Sequence, residues 1–134
     1  MNINFYPLKI IENPKGNVLH ALKKSDKNFE NFGEAYFSEI NYKEIKAWKY
    51  HNEMKMNFFV PFGKIKFVFF INNEYQEFII GKENYGRISV DPKIWFGFQG
   101  LQNPYSLLLN VASIEHNEEE VFTKELNSFK YNWK

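Results

Sequence analysis

The chain has 134 residues, 44% hydrophobic and 25% charged, with 17 Lys and Arg against 16 Asp and Glu for a formal net charge of +1. That near balance gives no general attraction to nucleic acid or membrane, and the absence of cysteine excludes disulfides and thiolate metal sites. The N-terminus lacks the pattern of a secretory signal and the longest apolar stretch, Phe67 to Ile71, is far short of the roughly 20 residues that span a bilayer, so a cytoplasmic protein with one domain over residues 1–134 is expected.

Aromatic residues make up 19% of the chain, and Phe and Tyr favour strands. The first candidate strand lies near Phe5 to Ile11 and is closed by the turn Asn13-Pro14-Lys15-Gly16. Val18 to Leu22 follows, then a polar stretch, Ser25 to Phe32, read as a loop with one helical turn. Gly33 opens a long β run through Ile40. Ile45 to His51 is the next strand. Asn57 to Phe62 and Lys64 to Ile71 meet at Gly63, and Ile65, Phe67, Phe69 and Ile71 alternate on one face. Asn72-Asn73-Glu74 reads as a hairpin turn into Tyr75 to Ile80. After a turn at Lys82 to Gly86 come Arg87 to Val90, Ile94 to Phe98 and Ser106 to Ser113. Glu115 to Leu126 is the best helix candidate, with Glu115, Glu118, Glu119 and Glu120 as a solvated face. Short strands separated by turns predict an all-β barrel or double-sheet jelly roll.

The segment with chemical content is Ile45-Lys46-Ala47-Trp48-Lys49-Tyr50-His51. In a strand, Ile45, Ala47, Lys49 and His51 share a face that begins apolar and ends with an ammonium beside an imidazole. Two readings follow: a solvated strand end, or a proton-transfer pocket inside the barrel. His20 and His116 read as packed or surface histidines, although His20, just after the Lys-Gly turn, could lie at the mouth of a dimer-related pocket.

Both signature stretches of the cupin fold can be sought here: Lys49-Tyr50-His51-Asn52-Glu53 closing at Gly63, and Gly86 to Phe96. Lysine replaces the first histidine and Phe96 or Trp95 the last, so only His51 and Glu53 remain as ligands, too few for a stable metal site. No metal and no other cofactor is expected.

Several stretches are similar, in order, to the metal-free sugar-nucleotide branch of that fold. Asn13-Pro14-Lys15-Gly16 looks like an Asp-x-Arg-Gly turn, and Lys46-Ala47-Trp48-Lys49-Tyr50-His51 sits where the epimerases carry Arg-Gly-Leu-His-Tyr-Gln. Ile80-Gly81-Lys82-Glu83-Asn84 echoes Leu-Ser-x-x-Asn, and Val90 to Phe98 looks like Ile-Pro-Pro-Gly-Phe-x-His-Gly-Phe. Tyr131-Asn132-Trp133 is similar to a closing Ile-x-Trp. The chain resembles, as a divergent member, the dTDP-4-dehydrorhamnose 3,5-epimerases and the related dTDP-sugar 3,4-ketoisomerases. The resemblance implies a cupin-type jelly-roll barrel, a homodimer supported by the strand from Gly33 to Glu39 and the N-terminal strand, and a role in surface-polysaccharide biosynthesis. It also implies departures: Lys49 at the base position of the epimerases, Asn110 at the position of their acid tyrosine, and Phe96 for a histidine. His51 matches the second histidine of the ketoisomerases' His-x-His.

Proton abstraction next to a sugar ketone needs a base poised near neutral pH, which suits an imidazole. The expected catalytic set is His51 as base, Lys49 as enolate or phosphate partner, and Tyr105 as proton donor, with Tyr50 weaker because it lies on the opposite strand face. Lys15, Lys46, Lys66 and Arg87 are candidates for the diphosphate, Arg87 being the only arginine. Trp48 and Trp95, with Phe37 and Tyr36, are candidates to stack the base, and Asn110 to bind substrate. The expected activity is isomerisation or epimerisation of a dTDP-4-keto-6-deoxyhexose. The alternatives are a binding protein that has lost the standard residues and a small-ligand cupin with a metal at His51 and Glu53.

Overall fold

A computed structural model describes residues 2–134. In chain order its strands are β1 (Ile3–Pro7), β2 (Ile10–Ile11), β3 (Val18–Leu19), β4 (Glu34–Asn41), β5 (Ile45–His51), β6 (Met56–Phe62), β7 (Lys64–Ile71), β8 (Glu74–Gly81), β9 (Gly86–Val90), β10 (Trp95–Gly100), β11 (Tyr105–Ala112) and β12 (Val121–Thr123). Antiparallel pairing assembles one five-stranded sheet in the order β1-β9-β6-β11-β4 and another in the order β12-β5-β10-β7-β8, while β2 and β3 form a separate hairpin. The all-β reading of the sequence holds.

Period-2 alternation decides what lies between the sheets. Ile65, Phe67, Phe69 and Ile71 of β7 point inward and meet Met56, Phe58 and Val60 of β6, Ile88 and Val90 of β9, and Leu108 of β11, all nearly inaccessible to water. Phe58 lies over Phe67 at 5.3 Å between ring centroids, a stacked pair that spans the two sheets. The β7–β8 hairpin closes through Asn72 and Asn73 with φ of 52° and 60°, the left-handed pair that a two-residue loop demands and asparagine tolerates. At Gly63 the φ of +90° and the Ser106 side chain, 2.2 Å from where a Cβ would stand, admit only glycine between β6 and β7.

The structure corrects four local expectations. The first strand is interrupted after Pro7, giving β1 and β2 in place of one run from Phe5 to Ile11. Residues 25–32 contain turns and no helical turn. The segment Glu115 to Leu126 is not a helix but a 3₁₀ turn at Glu118–Glu120 followed by β12. It lacks an apolar stripe at helical spacing, and an unpaired edge of β5 was available to accept a strand. Finally, β5 does not keep one phase. Phe96 pairs with Lys49 but Gly97 with Ala47, so Trp48 is the extra residue of a bulge. Ile45 and Ala47 therefore pack outward against the Trp48, Val68 and Trp133 cluster, while Lys49 and His51 face the other way.

Candidate active site

A cavity of about 390 Å³ opens between the sheets at the end where β4 and β11 face β5, β10 and β12, a size suited to a small-molecule ligand. Its floor is apolar, with Met56, Phe58, Phe96, Phe98 and Leu108. Its polar groups come from opposite walls: Lys46, Lys49 and His51 on β5 with Thr123 and Lys124 beside them, and Tyr36, Ser38 and Asn110 on β4 and β11. Lys46 Nζ reaches across the opening to donate to Ser38 Oγ at 3.2 Å and to the Glu39 carbonyl at 2.6 Å.

His51 is the fixed point of the site. It is 4% exposed, its ring lies parallel to Phe96 at 6.3 Å, and its Nδ1 is 2.5 Å from Glu120 Oε2. Glu120 is equally buried, and its other oxygen accepts the backbone N–H groups of Glu53 and Met54, each at 2.9 Å. Burial alone pushes the Glu120 carboxyl up, but the hydrogen bonds from His51, Glu53 and Met54 outweigh it and hold the group below its ordinary 4.5. A carboxylate only accepts, so Nδ1 carries the hydrogen and Nε2 is the nitrogen left to take a proton. The pairing of β12 with β5, which sets Val121 opposite His51, is what brings Glu120 beneath the imidazole.

Of the residues singled out from the sequence, the cavity gathers Tyr36, Lys46, Trp48, Lys49, His51 and Asn110. Trp48 contributes at its edge only, because its ring is 1% exposed and packed on Phe129 at 4.9 Å and Trp133 at 5.4 Å. The others stand elsewhere. Lys15 is exposed in the turn before β3. Lys66 lies on the outer face of β7, with Nζ over the rings of Tyr131 and Trp133 at 5.4 and 5.6 Å. Arg87 is buried on the outer face of the other sheet, donating to Asn57 Oδ1 and the Lys27 carbonyl with its guanidinium 4.5 Å above Tyr6. Trp95 packs outward on Tyr50 at 5.0 Å, and Tyr105 on Phe62 at 5.3 Å. The exposed Phe37 lies on the outer face of β4, and His20 and His116 are exposed. Glu53 is exposed while His51 is committed to Glu120, and among the described residues no group of three His, Cys, Asp or Glu side chains converges as a metal set would.

Sequence reasoning missed Glu120 and Lys124. Glu120 stands 69 residues from His51 in a run of acids that reads as surface. Its only local sign is the apolar pair Val121-Phe122 after it, the mark of a strand start rather than a helix face.

No protein-family model matches the chain, and no curated protein matches it in sequence. Solved structures match it closely. A dTDP-sugar isomerase from Desulfovibrio desulfuricans is 28% identical, with a TM-score of 0.92 over 98% of this chain and 90% of that one. A dTDP-4-dehydrorhamnose 3,5-epimerase from Sulfolobus tokodaii is 18% identical, with a TM-score of 0.84 over 96% of this chain and 80% of that one. A sugar 3,4-ketoisomerase from Thermoanaerobacterium thermosaccharolyticum, solved in complex with TDP, is 16% identical, with a TM-score of 0.79 over 92% of this chain and 88% of that one. The last two likenesses are of fold, the cupin-type β-sandwich that the sequence motifs pointed to. The structures on which this chain superimposes are thus dTDP-sugar isomerase, 3,4-ketoisomerase and 3,5-epimerase structures, the group its sequence resembles.

Proposed function

We propose that this chain is a sugar-nucleotide isomerase or epimerase that acts on a dTDP-4-keto-6-deoxyhexose by removing a proton from the carbon next to the ketone. The observation that carries this reading is the buried His51–Glu120 pair, which takes up Nδ1 of a ring that lines the cavity and leaves Nε2 free of that bond. A general base must reach its proton within hydrogen-bond distance and be held in one tautomer, and Glu120 does the second. As the C–H bond breaks, its electron pair moves onto the ketone oxygen. Lys49 stands on the same wall to meet that charge, and the Lys46 ammonium, held across the opening by Ser38 and Glu39, to meet the diphosphate. The apolar floor suits a 6-deoxy sugar, and the frame supports the reading because related structures hold TDP or a TDP-keto sugar. A protein that had merely retained a binding pocket would have no need of a buried carboxylate behind its histidine.

The protein works as a homodimer, docked through the exposed Phe32 and Phe37 beside the edge strand β4. The test is incubation with dTDP-4-keto-6-deoxyglucose followed by NMR. The wild type forms an isomeric keto sugar, and His51→Asn forms it at least 10³-fold more slowly while still binding dTDP. Binding of dTDP by the wild type without any isomer would contradict the proposal.

A further inference from the structure

The cavity wall opposite His51 presents Tyr36, Ser38 and Asn110, and the oxygens of the first two are already engaged. Ser38 Oγ accepts from Lys46 at 3.2 Å. The Tyr36 hydroxyl oxygen accepts from Asn110 Nδ2 at 3.1 Å, across the register that pairs Tyr36 on β4 with Asn110 on β11. That bond fixes which way the amide faces and leaves its other half, Oδ1, to find a donor elsewhere. Asn110 is 1% exposed, and its Oδ1 is buried with no hydrogen-bond partner although the side chain lines the cavity. Phe58 is its cross-strand neighbour on β6, and the floor of Met56, Phe58, Phe96, Phe98 and Leu108 supplies no donor. A buried acceptor left unpaired costs free energy, and one on a cavity wall is matched when a ligand brings a donor.

Resting on the substrate proposed above, we infer that Asn110 is a specificity-determining residue: it selects keto sugars that keep a ring hydroxyl at C2 or C3 and turns away their deoxy counterparts. A 4-keto-6-deoxyhexose joined to a nucleotide through C1 offers few hydrogen-bond donors. C4 is the ketone and C5 bears the ring oxygen and a methyl, so its hydroxyls are those of C2 and C3. Asn110 Oδ1 accepts one of them. The ketone is itself only an acceptor, so Oδ1 repels it and turns it toward the opposite wall, where Lys49 and His51 stand. A deoxy sugar instead sets a C–H against Oδ1, leaves the acceptor unpaired and shuts out water, and the penalty falls on that substrate. The sequence resemblance places a tyrosine of the epimerases at this position, so the selectivity belongs to this chain's own asparagine.

The experiment compares dTDP-4-keto-6-deoxyglucose with its 2-deoxy and 3-deoxy analogues, reading Kd by calorimetry and kcat/KM by NMR. The proteins are the wild type, Asn110→Leu, which is close in volume and apolar, and Asn110→Ala, which needs no room for branches. With the wild type, the analogue that lacks the bonded hydroxyl binds and turns over about 10²-fold less well than the parent sugar, and which analogue suffers identifies the carbon. In both variants the parent falls to the level of that analogue and the ratio between them collapses to within about threefold. All three proteins bind dTDP alone within about threefold, which a merely structural loss would not allow. A wild type that binds the parent and both analogues equally, or variants that keep the wild-type ratio, would overturn this inference and leave the proposed function standing. Discrimination in Kd that the variants lose, with no product or proton exchange from any of the sugars, would overturn the proposed function and leave the hydroxyl contact at Asn110 standing.

Discussion

At the residue scale the site rests on one carboxylate. Glu120 accepts from His51 on one oxygen and from two backbone amides on the other, so it is held by three donors while buried. Replacing it with glutamine keeps the shape and lets the side-chain oxygen go on accepting from Glu53 and Met54. The new amide N–H then faces Nδ1 and forces the hydrogen to Nε2, the wrong tautomer for a base. Glu120→Gln is expected to lower kcat by about 10³-fold or more, by analogy with other orienting carboxylates, with dTDP affinity changed less than about threefold. The same exchange alters the acid limb of stability. Since the folded carboxyl titrates below its ordinary 4.5, its contribution is fully present above that value and is lost as pH falls through the lower folded value. Urea denaturation between pH 6 and 3 is expected to show that loss in the wild type, and less of it in the variant. His51 and Lys49 were legible from alternation within one strand. Glu120 was not, because no periodicity links residues that meet only through long-range strand pairing.

At the element scale the decisive feature is the bulge at Trp48, which turns β5 from a strand packing outward into one facing the cavity. Strict alternation put Ile45 and Ala47 on the face of His51; one extra residue removed them from it, and no residue type in the run announces the insertion. The β7–β8 hairpin was legible because Asn-Asn dictates its own backbone. The C-terminal tail was not, although it covers the outside of the bulge with Phe129, Tyr131 and Trp133 around Trp48. Burial, with Glu77 beside it, pushes the Tyr131 hydroxyl well up, so that ring stays neutral. Trp133 is 8% exposed, and Trp133→Ala is expected to cost about 3 kcal/mol, read as a lowered urea midpoint. The loss falls on the segment that carries Lys49 and His51, so the variant also binds dTDP more weakly.

At the scale of the whole molecule, a sealed half and an open half divide the labour. Where β6 and β7 face each other, phenylalanines fill the space; where β4 faces β5, the sheets part and leave the cavity. Composition pointed to this, since a chain so rich in aromatics and β-branched residues builds sheets, and the motif order pointed to the particular sandwich. Which cations reach the cavity was beyond it: Lys66 and Arg87 sit in strands whose phase turns them outward, each under its own aromatic cover. The open half lies next to the edge strand β4, whose outer face shows Phe37 at 63% exposure, with Phe32 at 65% nearby. Sedimentation equilibrium is expected to give a dimer at micromolar concentration and a monomer for Phe37→Glu, through an unpaired charge placed in an apolar contact; a monomeric wild type would count against that assembly.

The most direct measurement is deuterium wash-in: dTDP-4-keto-6-deoxyglucose is held in D₂O with the protein, and the carbons flanking the ketone are followed by NMR in the wild type and in His51→Asn. Deuterium entering one of those carbons with the wild type, and not with the variant that still binds dTDP, is the predicted result. Equal wash-in by both proteins, or none by the wild type with dTDP bound, would contradict the assignment of the buried imidazole as the base.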